Sequence, residues 1–241
     1  MYHSITLGDK NTWNDWHLIP SSRPLVNPPN VRASMVEIPG ADGLLDLSDA
    51  LVGRPTYANR SGSWDFYVDN DHGSWADRYS DIMAYLHGQK MTAVLEDDPL
   101  FYYDGRFSVN QWRSDPYYSR IVIDYNVGPY KLYSATEGDL WLWDPFNFNE
   151  DVIRSYKNMV VKRGVPLVVN VEGDVMDIVP IITVAVSGMS VTFNGGITFL
   201  LKGSHTYDSI VIRSGANELI FDYNGSNASA KVSLKMTGGK F

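Results

Sequence analysis

The segment KVSLKM (231–236) alternates apolar and polar residues without a break. A side-chain period of two is what a half-buried β-strand demands, because successive side chains point to opposite faces. The alternation returns in Leu219, Phe221 and Tyr223, and it shapes residues 31–38, 63–68, 91–95 and 120–127. Turn residues separate these runs, so the spacing predicts a mainly β chain of antiparallel sheets. Asp104-Gly105, Asn194-Gly195 and Asn224-Gly225 are expected hairpin turns, since a two-residue turn of that kind needs positive φ at both central positions.

One stretch breaks the pattern. In SWADRYSDIMAYLHG (74–88), Trp75, Tyr79, Ile82, Met83 and Leu86 recur at helical spacing. Ser74 suits the N-cap, Asp77 the positive first turn, and Gly88 the left-handed position past the end. The expectation is a single helix whose apolar stripe packs on the sheet.

Gly128-Pro129 closes the last strand of this region. The expected organisation is a first domain of strands and one helix over 1–129, a connecting aromatic arm over 130–158 and a β-sandwich over 159–241. Within the arm Trp141, Trp143, Phe146 and Phe148 flank a proline with no clean period. Aromatic side chains placed between domains are suited to anchoring a partner, and these four are the candidate inter-subunit contacts.

Composition narrows the function. The 241 residues include no cysteine, so disulfide frameworks and thiolate metal sites are excluded and the fold must hold by packing. The longest apolar run, IVPIITVAV, is far shorter than the ~20 residues of a membrane-spanning helix, and the first residues lack the basic-then-apolar order of a leader. No membrane association is expected. Residues 1–128 hold 10 Lys and Arg against 17 Asp and Glu, a balance of −7, while the rest holds 10 against 11, or −1. Gripping a phosphate backbone needs the opposite sign.

Motifs for chemistry are weak. EIPGADGLLDLS (37–48) has the glycines of a phosphate loop but neither its lysine nor a following helix. DNDHG (69–73) begins like a calcium loop, then lacks the later ligands. The histidines have no metal-binding spacing, and no G-x-S-x-G nucleophile turn occurs. Asp97-Asp98 and Glu150-Asp151 are sequence neighbours, and a distant pair such as Asp65 with Asp124 is the remaining arrangement a glycosidase would need. These readings point to a protein without an enzymatic activity, a cofactor or a metal.

Six segments in order, EIPGADGLLD, PTYANRSGSWDF, YLHGQKMTAVLEDDPLFYYDGRF, WLWDPFNFNEDVIRSYKN, IVPIITVAVSGMSVTFNGG and GANELIFDYNG, together resemble the distal tail protein (Dit) family of siphophages. The resemblance runs nearly end to end. It implies an N-terminal belt domain followed by a galectin-like β-sandwich, assembled as a hexameric ring at the distal end of the phage tail. Such a ring joins the tail tube protein to tail-tip, baseplate or receptor-binding proteins, and the genome passes through its centre without specific binding. Location in the virion after assembly in the bacterial cytoplasm follows from the same likeness. The short connections leave no room for the carbohydrate-binding insertions of larger members. An acidic first half fits a channel lining, because electronegative walls let a polyanion slide. The rival expectation is a carbohydrate-binding module for the host surface, although residues 183–241 contain no Trp and offer only Tyr207 and Tyr223 for stacking.

Overall fold

The computed structural model describes residues 2–50, 53–68, 74–114, 119–134 and 156–241. The chain divides into two compact units, Met1–Lys131 with Phe241, and Leu132–Lys240. Both are built from antiparallel strands, and one helix is present among the described residues.

The first unit contains β1 (Ile5–Leu7), β2 (Lys10–Asn11), β3 (Leu18–Pro20), β4 (Met35–Glu37), β5 (Leu44–Asp46), β6 (Arg60–Val68), α1 (Trp75–Leu86), β7 (Gln89–Leu95), β8 (Phe101–Ser114) and β9 (Ser119–Val127). Seven strands of a nine-stranded sheet follow the order β2-β1-β7-β8-β9-β6-β3. Alternate residues point inward: Trp64, Phe66, Phe107, Ile121 and Ile123 form the core with Ile5, Leu7 and Leu18. The helix closes this core with Ile82 and Leu86, fully buried, and with Trp75, Tyr79 and Met83 packed beside them. Gly88 has φ +75°, the left-handed conformation expected past a helix end. Ser74 precedes the helix in extended conformation, but its side chain makes no capping hydrogen bond.

Asp104-Gly105 is not a turn. β8 runs through it, with Thr92 opposite Asp104 on one side and Val127 opposite Gly105 on the other. The reason is packing: a Cβ at Gly105 would lie 2.3 Å from the carbonyl oxygen of Asn126, so the glycine permits a close approach of β8 to β9. A second irregularity follows at Asn110, where the register shifts between Val109 and Gln111.

After β10 (Lys131–Tyr133), which pairs with the last strand β19 (Gly239–Lys240), the second unit folds from β11 (Met159–Lys162), β12 (Leu167–Gly173), β13 (Ile181–Val184), β14 (Met189–Phe193), β15 (Gly196–Leu200), β16 (Gly203–Thr206), β17 (Gly215–Tyr223) and β18 (Ser229–Lys235). They form two four-stranded sheets, β11-β18-β13-β16 and β12-β17-β14-β15. One core joins them, with Val161, Ile182, Val184, Val232 and Leu234 from the first and Val171, Val191, Leu219, Phe221 and Tyr223 from the second. This is a sandwich, each strand giving one face to the core.

The two Asn-Gly pairs behave differently. Asn194 (φ +48°) and Gly195 (φ +80°) make the tight turn of the β14–β15 hairpin. Asn224-Gly225 instead carries the chain from one sheet to the other, because β17 and β18 belong to different sheets. An Asn-Gly pair bends the chain locally; which strand comes next is decided by where the next apolar face finds cover.

Candidate assembly surface

The segment from 31 to 47 contains no buried or half-buried residue. Its centre is the hairpin β4–β5, with Met35 opposite Asp46, Val36 opposite Leu45 and Glu37 opposite Leu44, and these two strands pair only with each other. Pairing fixes the faces. Val36 and Leu45 share one side, and Met35, Glu37, Leu44 and Asp46 share the other; Ile38 and Leu47 follow the two strands, with Ser34 opposite Leu47. The connection between the strands holds Gly40 (φ +83°) and Gly43 (φ +82°).

The base of this arm is well anchored in the first unit. Trp64 Nε1 donates to the Leu25 carbonyl at 2.9 Å, Asn27 N donates to Tyr125 Oη at 3.0 Å, and Asn27 Nδ2 donates to the Ser61 carbonyl at 2.9 Å. Arg32 N to Thr56 O and Ala58 N to Asn30 O, both 2.8 Å, tie the two ends of the segment together. Beyond that the arm holds itself: Leu47 N donates to Ser34 O at 2.8 Å, and Ser34 N to Ser48 Oγ at 2.9 Å. The hydroxyl and then the N–H of Ser48 donate to Asp46 and hold its carboxyl below the usual carboxylate range.

An isolated two-stranded hairpin is marginal in water, and exposed apolar patches of several side chains mark interaction sites. Six large apolar side chains stand exposed on β4, β5 and the residues beside them, Leu44 to 61%. The glycines of EIPGADGLLDLS therefore turn a projecting hairpin, and its leucines are surface residues.

Acids considered for chemistry are tied up structurally. Asp65 makes a bidentate ion pair with Arg120; Asp97 accepts from His3 Nδ1 at 2.9 Å and Arg23 Nε at 3.0 Å; Asp98 accepts from Lys131 Nζ at 2.7 Å. Asp124 lies opposite Ser63 on the solvent side of the sheet, in an open trough of about 930 Å³. Lys90, Asp104 and Arg106 line the same trough, so its charge is balanced. Among the described residues no three His, Asp or Glu come together as metal ligands. Tyr223 is buried in the sandwich core and offers no ring to a sugar, and the Tyr207 hydroxyl accepts from Leu201 N at 2.8 Å. Trp141, Trp143, Phe146 and Phe148, with Glu150-Asp151 and residues 69–73, lie outside the described residues.

The arm was not singled out as a contact from its sequence. A signal existed, namely that VEI and LLDL put apolar residues on both faces of strands too short to bury either.

No protein-family model matches the chain, and no curated protein sequence does. Among solved structures, the crystal structure of the Dit (gp 19.1) protein of phage SPP1 aligns over 99% of both chains, with a TM-score of 0.62 and 11% identity. The chain has the fold of a phage Dit protein. That protein is described as a paradigm of the hub adsorption apparatus of phages that infect Gram-positive bacteria. At 11% identity the likeness establishes fold, which is mainly β, with one helix among the described residues of the first unit.

Proposed function

We propose that the protein is a structural, non-enzymatic hub of a phage tail, in which copies close into a ring that joins the tail tube to the tail-tip or adsorption apparatus. The observation that carries the reading is the end-to-end likeness to the SPP1 hub protein. The arm supplies the means. A heterologous contact repeated around an axis closes a ring when the rotation fits, and the exposed apolar side chains Val36, Ile38, Leu45 and Leu47 suit such a contact with a second copy. Trp141, Trp143, Phe146 and Phe148 are proposed to reinforce it. The count of six copies, the galectin-like description of the sandwich, assembly in the host cytoplasm, and the docking of tube and receptor-binding proteins belong to the same reading. So does a central channel for DNA, for which the −7 balance of residues 1–128 is the supporting observation.

Electron microscopy of the purified full chain, alone and with the tail tube protein, tests the proposal. Rings with a central hole are expected, and Val36→Asp with Leu45→Asp should abolish them while the protein stays folded. A ring whose lumen is basic would remove the channel-lining role. Binding on a glycan array by a chain that never assembles would favour the rival carbohydrate-binding reading.

A further inference from the structure

The edge strand β15 leaves one side of its backbone unpaired among the described residues. Asn224 N donates to Gly188 O at 2.9 Å, so the even-numbered residues of β14 bond to β17 and the odd-numbered ones to β15. Gly196, Thr198 and Leu200 take those bonds, and the N–H and C=O groups of Ile197 and Phe199 point to the free edge. Their side chains are uncovered as well, Ile197 to 65% and Phe199 to 80%, with exposed Leu201 beyond them. Other edges of the two sandwich sheets are protected: β11 carries Lys162, β12 carries Glu172, and β16 is short and polar. β15, GITFL, has neither a charge nor a proline. An apolar strand edge of this kind is a template for a strand from another chain.

The β4–β5 arm has matching edges. Leu47 N donates to Ser34 O, which makes Val36 and Leu45 a hydrogen-bonded pair and turns the backbone groups of Met35, Glu37, Leu44 and Asp46 outward. Because β4 and β5 pair only with each other among the described residues, both outer edges of the arm are open. We infer that a strand of one copy's arm adds to β15 of a second copy and covers Ile197 and Phe199. The inference rests on the hub reading and names the landing place of the arm. Charge agrees: residues 34–48 hold Glu37, Asp42 and Asp46 with no Lys or Arg, and residues 189–207 hold Lys202 and His205 with no Asp or Glu. The two surfaces are different patches, one in each unit, so the contact is heterologous and can repeat around a closing ring. Pairing of β15 with the β15 of another copy would be isologous and would stop at a dimer. Strand addition over about three residues stays well under the ~1,000 Å² of a self-sufficient interface, so it acts alongside the other contacts of the assembly.

Amide exchange of the full chain reads the backbone contact. In the dilute monomer the N–H groups of Ile197 and Phe199 should exchange faster than those of Thr198 and Leu200. At about 1 mM, or in rings, both should slow by about tenfold or more. Introduced thiols report which chains meet, because the sequence has no cysteine. A concentrated mixture of Leu44→Cys chains with Leu201→Cys chains, treated with a short bis-maleimide, should give dimers, and either variant alone should stay monomeric. Phe199→Glu in the Leu201→Cys chain should cut the dimer yield about tenfold, as loss of an aromatic anchor does. Val160→Glu, at an exposed apolar position on the other sheet, should leave the yield unchanged. Slow exchange of Ile197 and Phe199 already in the monomer, unchanged exchange on assembly, no mixed dimers, dimers from Leu201→Cys alone, or equal losses from the two Glu variants each overturn the inference. Rings whose Ile197 and Phe199 amides stay fast sink this contact alone. Mixed dimers without rings sink the ring of the hub reading alone, and absence of both sinks both.

Discussion

The hairpins β4–β5 and β14–β15 use similar local means and end in opposite surroundings. Each has short apolar strands and a glycine at φ near +80°, Gly40 in one and Gly195 in the other. In β14–β15 the residues Met189, Val191, Phe193 and Leu200 are buried, because β14 also pairs with β17 and its inner face meets the other sheet. In β4–β5 nothing is buried. Local sequence grammar makes a hairpin; whether it supports the fold or reaches out to another molecule depends on what lies next to it.

The largest effect separating the two regions should come from the sandwich core. Phe221 is fully buried opposite Val191, and Phe221→Ala should cost about 3–5 kcal/mol by the loss of burial and the cavity left behind. Urea unfolding followed by a signal from the second unit would read it. Leu45→Ala, at an equally apolar position in the arm, should change stability by less than about 0.5 kcal/mol and weaken assembly instead, as light scattering would show. A large loss of stability from Leu45→Ala would mean that the arm packs on its own chain.

A finer test uses the glycines, both with nothing within 4 Å of an added Cβ. Gly195→Ala should lower the stability of the second unit by about 1–2 kcal/mol, the cost of a left-handed conformation with a side chain. Gly40→Ala should bear the same local cost without moving the global transition, showing only as faster amide exchange in the arm. Equal effects on global unfolding would erase the distinction drawn here.

The smallest expected effect is on pH. The carboxyls of Asp46, held by Ser48, and of Glu96, held by the Ser4 N–H and hydroxyl, lie below their ordinary range. A lowered folded-state pKa gives stability that is complete above the unfolded value near 4 and is lost as pH falls through the folded value. Acidification below about pH 4 should therefore loosen both. Ser48→Ala should flatten the response of the arm's amide exchange and leave the first unit's core unaltered.

Much of the fold was legible before any coordinates. Alternation marked β6, β7, β9 and β18, and the helical stripe marked α1 with Ile82 and Leu86 inward. Those signals are local, arising from one backbone period and one buried face. Asp104-Gly105 misled because a dipeptide that turns readily also lies in a strand when a neighbouring backbone crowds the glycine position. Asn224-Gly225 misled because the sheet to which the next strand belongs is not a local property. The candidate surface was the least legible part, since exposure of Leu44 or Leu45 is the absence of a covering element elsewhere among the described residues.

The sequence by itself determined that this protein is mainly β, that it contains one helix among the described residues, and that packing rather than disulfides holds it. Hydrophobic period, turn chemistry and the absence of cysteine are properties of single segments or of composition. Only the tertiary structure decided that EIPGADGLLDLS tips an exposed arm and that β8 passes straight through Asp104-Gly105. Strand order and register set these outcomes, by bringing together residues far apart in the chain and leaving others uncovered.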